Sequence, residues 1–142
     1  MSYFRATDPF PLETADHNKL HEFYSRLAAG RLSTTRCATC GRTAWPPRGF
    51  CADCASDAFD WVDLPAEGII HAFTVQDTGL PGGFDGPRVF AIVKVHGHRI
   101  FAVIGDADPA AIALGQRVRL APLRVADDSK GNARYLPAFR PA

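Results

Sequence analysis

The 142-residue chain has no long hydrophobic run and no dominant charge of either sign. Its longest apolar stretches, Val89–Val93 and Ile100–Ile104, fall far short of the ~20 residues that a membrane-spanning helix needs. Sixteen Lys and Arg against fifteen Asp and Glu leave a net charge of +1, so no overall field favours nucleic acid or an anionic membrane. The first residues also lack the basic-then-apolar order of a signal peptide, and we therefore expect a cytoplasmic protein.

Cysteine is scarce and is confined to one short segment. The spacing is C-x2-C, ten residues, C-x2-C, formed by Cys37, Cys40, Cys51 and Cys54. Two residues between cysteines allow a tight turn, a knuckle, to direct both thiolates at one point, and two facing knuckles complete a tetrahedral four-sulfur site. We predict one structural zinc ion per chain, because four thiolates leave no open coordination position for catalysis.

Three other interpretations of the cysteines remain open. Disulfides are disfavoured in a reducing compartment. A redox-active C-x-x-C pair generally occurs singly rather than in two matched copies. Iron in a rubredoxin-like electron carrier is the third alternative, because ligand type alone does not separate iron from zinc.

The segment before the cysteines has helical periodicity. Apolar residues recur at i, i+3, i+4 and i+7, at Leu20, Phe23, Tyr24 and Leu27. This spacing predicts a helix over about Ala15–Ala29, capped by Thr14 or Asp16 and ended by Gly30. The apolar stripe either packs on the protein's own body or docks on another subunit.

The rest of the chain is predicted to be mainly β. Short ribbon strands are expected at Leu32–Arg36, Ala44–Arg48 and Phe59–Val62. Five longer strands follow, at Gly68–Gln76, Arg88–Val95, Arg99–Ile104, Arg117–Leu123 and Tyr135–Arg140, with a short helix over Asp108–Leu114 between the third and fourth. This order is the plan of an OB-fold barrel. The predicted domains are an N-terminal helical segment (1–30), a zinc ribbon (31–62) and an OB-fold domain (63–142).

Seven short motifs together resemble the DUF35 family of zinc-ribbon OB-fold proteins. They are Gly30–Leu32, Cys37–Gly41, Pro46–Arg48, Cys51–Cys54, Trp61–Val62, Gly68 and Pro137–Pro141. The resemblance implies a non-catalytic accessory subunit in a complex with a thiolase, the preferred partner, or with a sterol-carrier-type thiolase-like aldolase. It also implies that the barrel helps to form a channel for acyl-CoA, and that the ribbon and the first helix supply the docking surface.

Candidate ligand-binding residues follow from the chemistry of coenzyme A. Its phosphates favour arginine near a loop that permits close backbone approach. The Gly79–Pro87 and Ala126–Ala133 loops lie where OB-folds usually meet their ligands. Taken with the family resemblance, this predicts CoA contacts for Arg88, Arg134 and Arg48; without the resemblance, each is interpreted as ordinary surface charge.

Independent catalysis is not expected. The cysteines are assigned to the metal, and no serine, histidine and acid are spaced for nucleophilic attack. His71 alternates with core residues and is predicted to be a barrel histidine. A single-stranded nucleic-acid-binding OB-fold is the alternative from another class, with Phe73, Phe84, Phe90 and Phe101 as its aromatics. The near-zero net charge opposes it, and we predict no nucleic-acid partner.

Overall fold

The protein is described here by a computed structural model of residues 8–142. Within this range the elements are α1 (His21–Ala28), β1 (Ser33–Cys37), β2 (Phe59–Asp63), β3 (Glu67–Gln76), β4 (Arg88–Val95), β5 (His98–Ile104), β6 (Arg117–Leu120), β7 (Leu123–Val125), β8 (Arg134–Leu136) and β9 (Ala138–Pro141). None of the helices over these residues is long and apolar enough to cross a membrane.

Five strands close into a barrel in the order β3–β4–β5–β9–β6, and β6 pairs back onto β3. β9 lies between β5, to which it runs parallel, and β6, to which it runs antiparallel. A short 3₁₀ turn at Pro109–Ala111 precedes β6, and the Asp108 carboxylate caps it by accepting from the Ala110 N–H at 3.0 Å. The mainly β architecture with an OB-type barrel is therefore confirmed.

The first half of strand β4 is covered on both sides, as its continuous apolar sequence predicts. Val89, Ala91 and Val93 face the barrel interior and are 3% exposed or less. Phe90 points outward and is buried in a second apolar cluster, against which Leu80 and Phe84 of the preceding loop pack. The barrel wall thus has a core on its inner side and a smaller one under the loop between β3 and β4.

The observed helix is shorter than predicted. Residues 15–20 form turns, because side chains there bond to nearby backbone and compete with helical hydrogen bonds. The Asn18 side-chain oxygen accepts from the Leu20 N–H at 2.9 Å. The end is as predicted: Gly30 has φ of 81°, and the N–H groups of Gly30 and Arg31 reach back to Leu27 and Arg26.

The apolar stripe of α1 packs on the protein itself. Phe23 and Leu27 are buried in the same core cluster as Leu32 and the barrel interior, and Tyr24 packs against that cluster. Trp45 of the ribbon lies edge-on to Phe23, with ring centroids 5.9 Å apart. Of the two interpretations of the stripe, the structure supports internal packing.

Proline explains where predicted strands are missing or divided. The expected strand Ala44–Arg48 is absent, because Pro46 and Pro47 have no N–H to donate to a neighbouring strand. Only an isolated bridge between Arg36 and Thr43 forms in this part of the ribbon. The two last predicted barrel strands are each divided where Pro122 or Pro137 interrupts them. The resulting pieces β7 and β8 pair as a separate hairpin beside the barrel.

Candidate metal centre and ligand groove

The four cysteine sulfurs converge at one point. All four lie within 4.8 Å of one another, and the Sγ–Sγ distances are 3.6 Å for Cys37–Cys54 and 3.6 Å for Cys40–Cys51. Zn–S bonds of about 2.3 Å in a tetrahedron place the sulfurs about 3.8 Å apart, so the arrangement fits a zinc ion. A disulfide needs sulfurs about 2.05 Å apart, and all four thiols are free.

The two knuckles have the same backbone design. In the first, the Gly41 N–H bonds to the Cys37 carbonyl at 2.9 Å, and in the second the Ala55 N–H bonds to the Cys51 carbonyl at 3.0 Å. Both residues have left-handed backbones, with φ of 78° at Gly41 and 60° at Ala55. The turn therefore requires a backbone conformation that glycine adopts without steric cost and that is strained for alanine.

Polar contacts tie the knuckles together. Arg42, after the first knuckle, forms an ion pair at 2.6 Å with Asp53 inside the second. The Thr39 hydroxyl donates to the Ser56 hydroxyl at 2.8 Å across the same gap. The backbone N–H of Cys40 points at the Cys37 sulfur and is the largest of the contributions that lower the pKa of Cys37 to about 6. Thiolate, the form that binds metal, is favoured at this position.

Arg134 lies inside the protein, which differs from its predicted contact with a ligand phosphate. It is 2% exposed, and its guanidinium donates hydrogen bonds to both oxygens of the Asp8 carboxylate at 2.6 and 3.0 Å. Its remaining N–H groups face the carbonyls of Ala126, Asp127, Phe10 and Pro11. As placed, the side chain fastens the N-terminal segment to the β7–β8 loop and has no donor left for a phosphate.

Glu13 lies near the Arg134–Asp8 ion pair and is a buried carboxyl. It is 9% exposed; one oxygen accepts from the Tyr135 N–H at 3.2 Å, and the other has no hydrogen-bond partner among the described residues. Burial raises the pKa of Glu13 to about 7, and this outweighs the opposing hydrogen bond from Tyr135. The sequence gives no sign of this, because the burial comes from contacts between distant segments.

Arg88 lies at the edge of an open groove of about 360 Å³. Its guanidinium is 5.7 Å from the centre of the Phe84 ring, and Phe84 is edge-on to Phe10 at 5.9 Å. Arg124, on β7, lines the same groove and pairs with Asp127 at 3.1 Å. Arg124 and Phe10 were not predicted as site residues, and only the tertiary contact of their segments brings them to Arg88.

Arg48 belongs to a different part of the molecule. Its backbone N–H donates to the Thr35 hydroxyl at 2.8 Å, and its exposed side chain lines a small cavity beside Cys37 and Cys51. The three predicted arginines are therefore not brought together: one is on the ribbon, one is internal, and Arg88 borders a groove.

His71 is exposed, which corrects its prediction as a barrel histidine. A β-bulge between Ile70 and Ala72 interrupts the alternation of β3, so the simple two-residue periodicity no longer assigns its side chain to the core.

Comparison with known families agrees with this architecture. Residues 25–60 match the rubredoxin-like zinc ribbon domain of ChsH2, and residues 61–121 match the ChsH2 C-terminal OB-fold domain. The chain belongs to the DUF35 family. The DUF35 zinc ribbon supplies the cysteines of the metal centre, and the DUF35 barrel supplies Arg88, while the N-terminal segment and β7 complete the groove.

Two solved structures resemble this DUF35 chain. An Ltp2-ChsH2(DUF35) aldolase is similar with 28% sequence identity and a TM-score of 0.70, over 84% of this chain and 91% of the other. A DUF35-family protein of unknown function from Sulfolobus solfataricus has 13% identity and a TM-score of 0.55, over 85% of this chain and 83% of the other. The second likeness concerns the fold alone.

Proposed function

We propose that this chain is a non-catalytic accessory subunit that binds a thiolase-like enzyme acting on an acyl-CoA, and that the enzyme is an aldolase. The similarity to the ChsH2 component of an Ltp2 aldolase, which extends over most of both chains, is the observation that supports this most directly. It also favours an aldolase over the pathway thiolase that the sequence resemblance alone placed first. In this proposal the partner performs the chemistry.

The metal in this proposal is a structural zinc ion, one per chain, held by Cys37, Cys40, Cys51 and Cys54. Four thiolates fill the coordination sphere, so the ion would hold the ribbon in shape without binding substrate. Elemental analysis of undenatured protein should give one zinc per chain. A red protein that contains iron, or a protein with no stoichiometric metal, would contradict the assignment.

The groove beside Arg88 is the proposed place for part of the acyl-CoA. Arg88 and Arg124 offer positive charge for phosphates, and Phe10 and Phe84 offer aromatic surface for the adenine or pantetheine portion. Arg134 supports this groove from behind, because it holds Phe10 and Ala126, two of the lining residues, through their carbonyls. We therefore assign Arg134 a positioning role and Arg48 no contact with this groove.

The test of the accessory role is co-expression of this chain with a thiolase-like aldolase subunit from the same genome. We expect one complex in size-exclusion chromatography, and aldol cleavage or thiolysis of an acyl-CoA that needs both chains. Full activity of the partner alone, or activity of this chain alone, would refute the proposal.

The groove is tested separately in the assembled complex. Arg88→Ala should weaken acyl-CoA binding by about tenfold, the loss of one charge-assisted contact. The matched control is Arg119→Ala, an exposed arginine on β6, which should leave affinity unchanged. Equal affinities for wild type and Arg88→Ala would remove the CoA from this groove.

A further inference from the structure

The barrel has an exposed apolar area on the outside of strands β3, β4 and β5. The strand register places Ala72, Ile92 and Phe101 side by side in one row across these strands. Phe101 is 64% exposed and stacks on the ring of Phe90, with planes 4° apart and centroids 5.8 Å apart. These side chains line a shallow depression of about 210 Å³.

Two cations border this row. The neighbouring row holds Ile69, Lys94 and Arg99, which the register places opposite one another, and Ile69 is 48% exposed. No carboxylate among the described residues lies within ion-pair distance of Lys94 or Arg99. We call the set Ile69, Ala72, Ile92, Lys94, Arg99 and Phe101 the outer face.

We propose that the outer face is the surface on which the partner enzyme docks, with an apolar side chain of the partner in the depression and its carboxylates against Lys94 and Arg99. This inference rests on the proposed function and names the interaction surface within it. An exposed aromatic ring backed by a buried one, with charge beside it, is the composition of an interface anchor.

Charge selects this occupant over two others. In a two-fold dimer the same patch would oppose itself, which would bring the Lys94 and Arg99 pair of one copy towards that of the other. A single nucleic-acid strand needs a basic groove that follows several phosphates, whereas the outer face has two cations in a chain of net charge +1. A partner surface that is apolar, with carboxylates at its edge, would cover the row of Ala72, Ile92 and Phe101 and also pair with the cations of the neighbouring row.

The predicted alternative surfaces fit less well. The apolar stripe of α1 is largely used in the protein's own core, with Phe23 6% and Leu27 0% exposed. The ribbon offers Phe50, which is 58% exposed, and this residue provides a direct competitor in the test.

The experiment measures the affinity of this chain for the thiolase-like subunit used in the co-expression test, by calorimetry, with purified zinc-loaded variants. Phe101→Ser should weaken binding by at least about tenfold, and Lys94→Glu with Arg99→Glu should do the same and reduce the salt dependence. The controls are Leu114→Ser, at a residue 67% exposed elsewhere, and Arg119→Glu on β6, both expected within twofold of wild type. Circular dichroism and zinc content verify that each variant is folded.

The outcomes separate the two proposals. If wild-type chain and partner do not associate, the accessory role fails and the docking surface fails with it. If they associate and Phe101→Ser binds within twofold of wild type, the outer face is wrong and the accessory role stands; a loss with Phe50→Ser would then move the interface to the ribbon. Loss of self-association, or of binding to a labelled oligo-dT, in Phe101→Ser with partner affinity unchanged would also overturn the proposal.

Discussion

The ribbon and the barrel keep their shapes by different means. In the barrel, inward side chains such as Val93, Val95 and Ile100 are completely buried, and every strand is paired on both sides. In the ribbon, β1 and β2 form a two-stranded sheet, and of the four cysteines Cys37 is buried. The barrel is therefore held by apolar burial, and the ribbon needs the bonds that a metal supplies.

This contrast shows how one chain can combine a self-sufficient part with a dependent one. Leu32 and Leu64, at the base of the ribbon, belong to the same apolar cluster as the barrel interior. The far end of the ribbon, where the knuckles lie, has Phe50 exposed and no such cluster around it. We expect the knuckles to lose structure before the barrel does, because few apolar contacts stabilise them.

Removal of the metal should produce the largest difference in stability between the ribbon and the barrel. Zinc binding to ribbon-sized peptides is worth about 10–16 kcal/mol, so Cys37→Ser should abolish stoichiometric zinc and unfold the knuckles. Hydrogen exchange should show lost protection around residues 37–58 and retained protection in β4 and β5. Thr39→Ala, which alters the same turn without touching a sulfur, should keep its zinc. Collapse of barrel protection in Cys37→Ser would show that the two parts are one cooperative unit.

A cavity in the barrel should produce the reverse pattern. Ile100 is completely buried, so Ile100→Ala should cost about 2–5 kcal/mol of unfolding free energy, and Ile100→Val about 0.5–1.5 kcal/mol. Both should retain one zinc per chain. Urea denaturation with parallel elemental analysis makes the measurement. A loss of zinc in folded Ile100→Val would contradict the view that the ribbon and the barrel are stabilised independently.

The N-terminal segment, which packs on β8 beside the barrel through Glu13, and the ribbon should respond to pH in opposite directions. Because the pKa of Glu13 is raised to about 7, the folded state binds its proton more tightly than the unfolded state, and the stability this gives is lost as pH rises towards and through 7. Wild type should lose about 2 kcal/mol relative to Glu13→Gln between pH 5.5 and pH 8.

The ribbon should instead release zinc as pH falls, because its ligands must be deprotonated. Urea titrations across this range, with zinc content followed at each pH, separate the two effects. Parallel pH profiles for wild type and Glu13→Gln would show that this carboxyl does not sense pH.

The smallest effect is expected at the second knuckle. Ala55 has φ of 60°, which costs an L-residue about 1–2 kcal/mol, and glycine recovers part of this at an entropic cost. Ala55→Gly should stabilise the ribbon by about 0.5–1 kcal/mol, measured by competition for zinc with a chelator. Gly41→Ala, at the equivalent position, should weaken zinc retention. A neutral Ala55→Gly would indicate that the metal dictates this turn regardless of residue.

Local patterns accounted for most of the fold. The strands of the barrel wall follow from alternation and continuous apolar runs, and the metal cluster follows from cysteine spacing alone. Three errors came from effects that periodicity does not contain: side-chain bonds that shorten α1, prolines that divide the late strands, and the bulge that exposes His71. In each case one or two residues override an otherwise correct pattern.

The ligand site was harder to predict because it depends on distant contacts. Arg134 and Arg88 look equivalent in sequence, since each stands beside a polar or glycine-rich loop. The structure separates them through Asp8, which lies 126 positions away from Arg134 in the chain and binds its guanidinium. No local sequence pattern records such a contact. Cysteine spacing therefore predicted the metal cluster, but nothing local distinguished a groove-lining arginine from a buried one.

The position of β9 has a consequence for how the protein is made. Because Ala138–Pro141 lies between β5 and β6, the barrel cannot close on a ribosome until that strand has left the exit tunnel. The cysteine segment emerges long before, and synthesis of the intervening residues takes several seconds at about 5–20 residues per second. During that interval the ribbon can capture its metal while β5 and β6 lack their common neighbour β9, with their unpaired edges accessible to a chaperone or to a waiting partner.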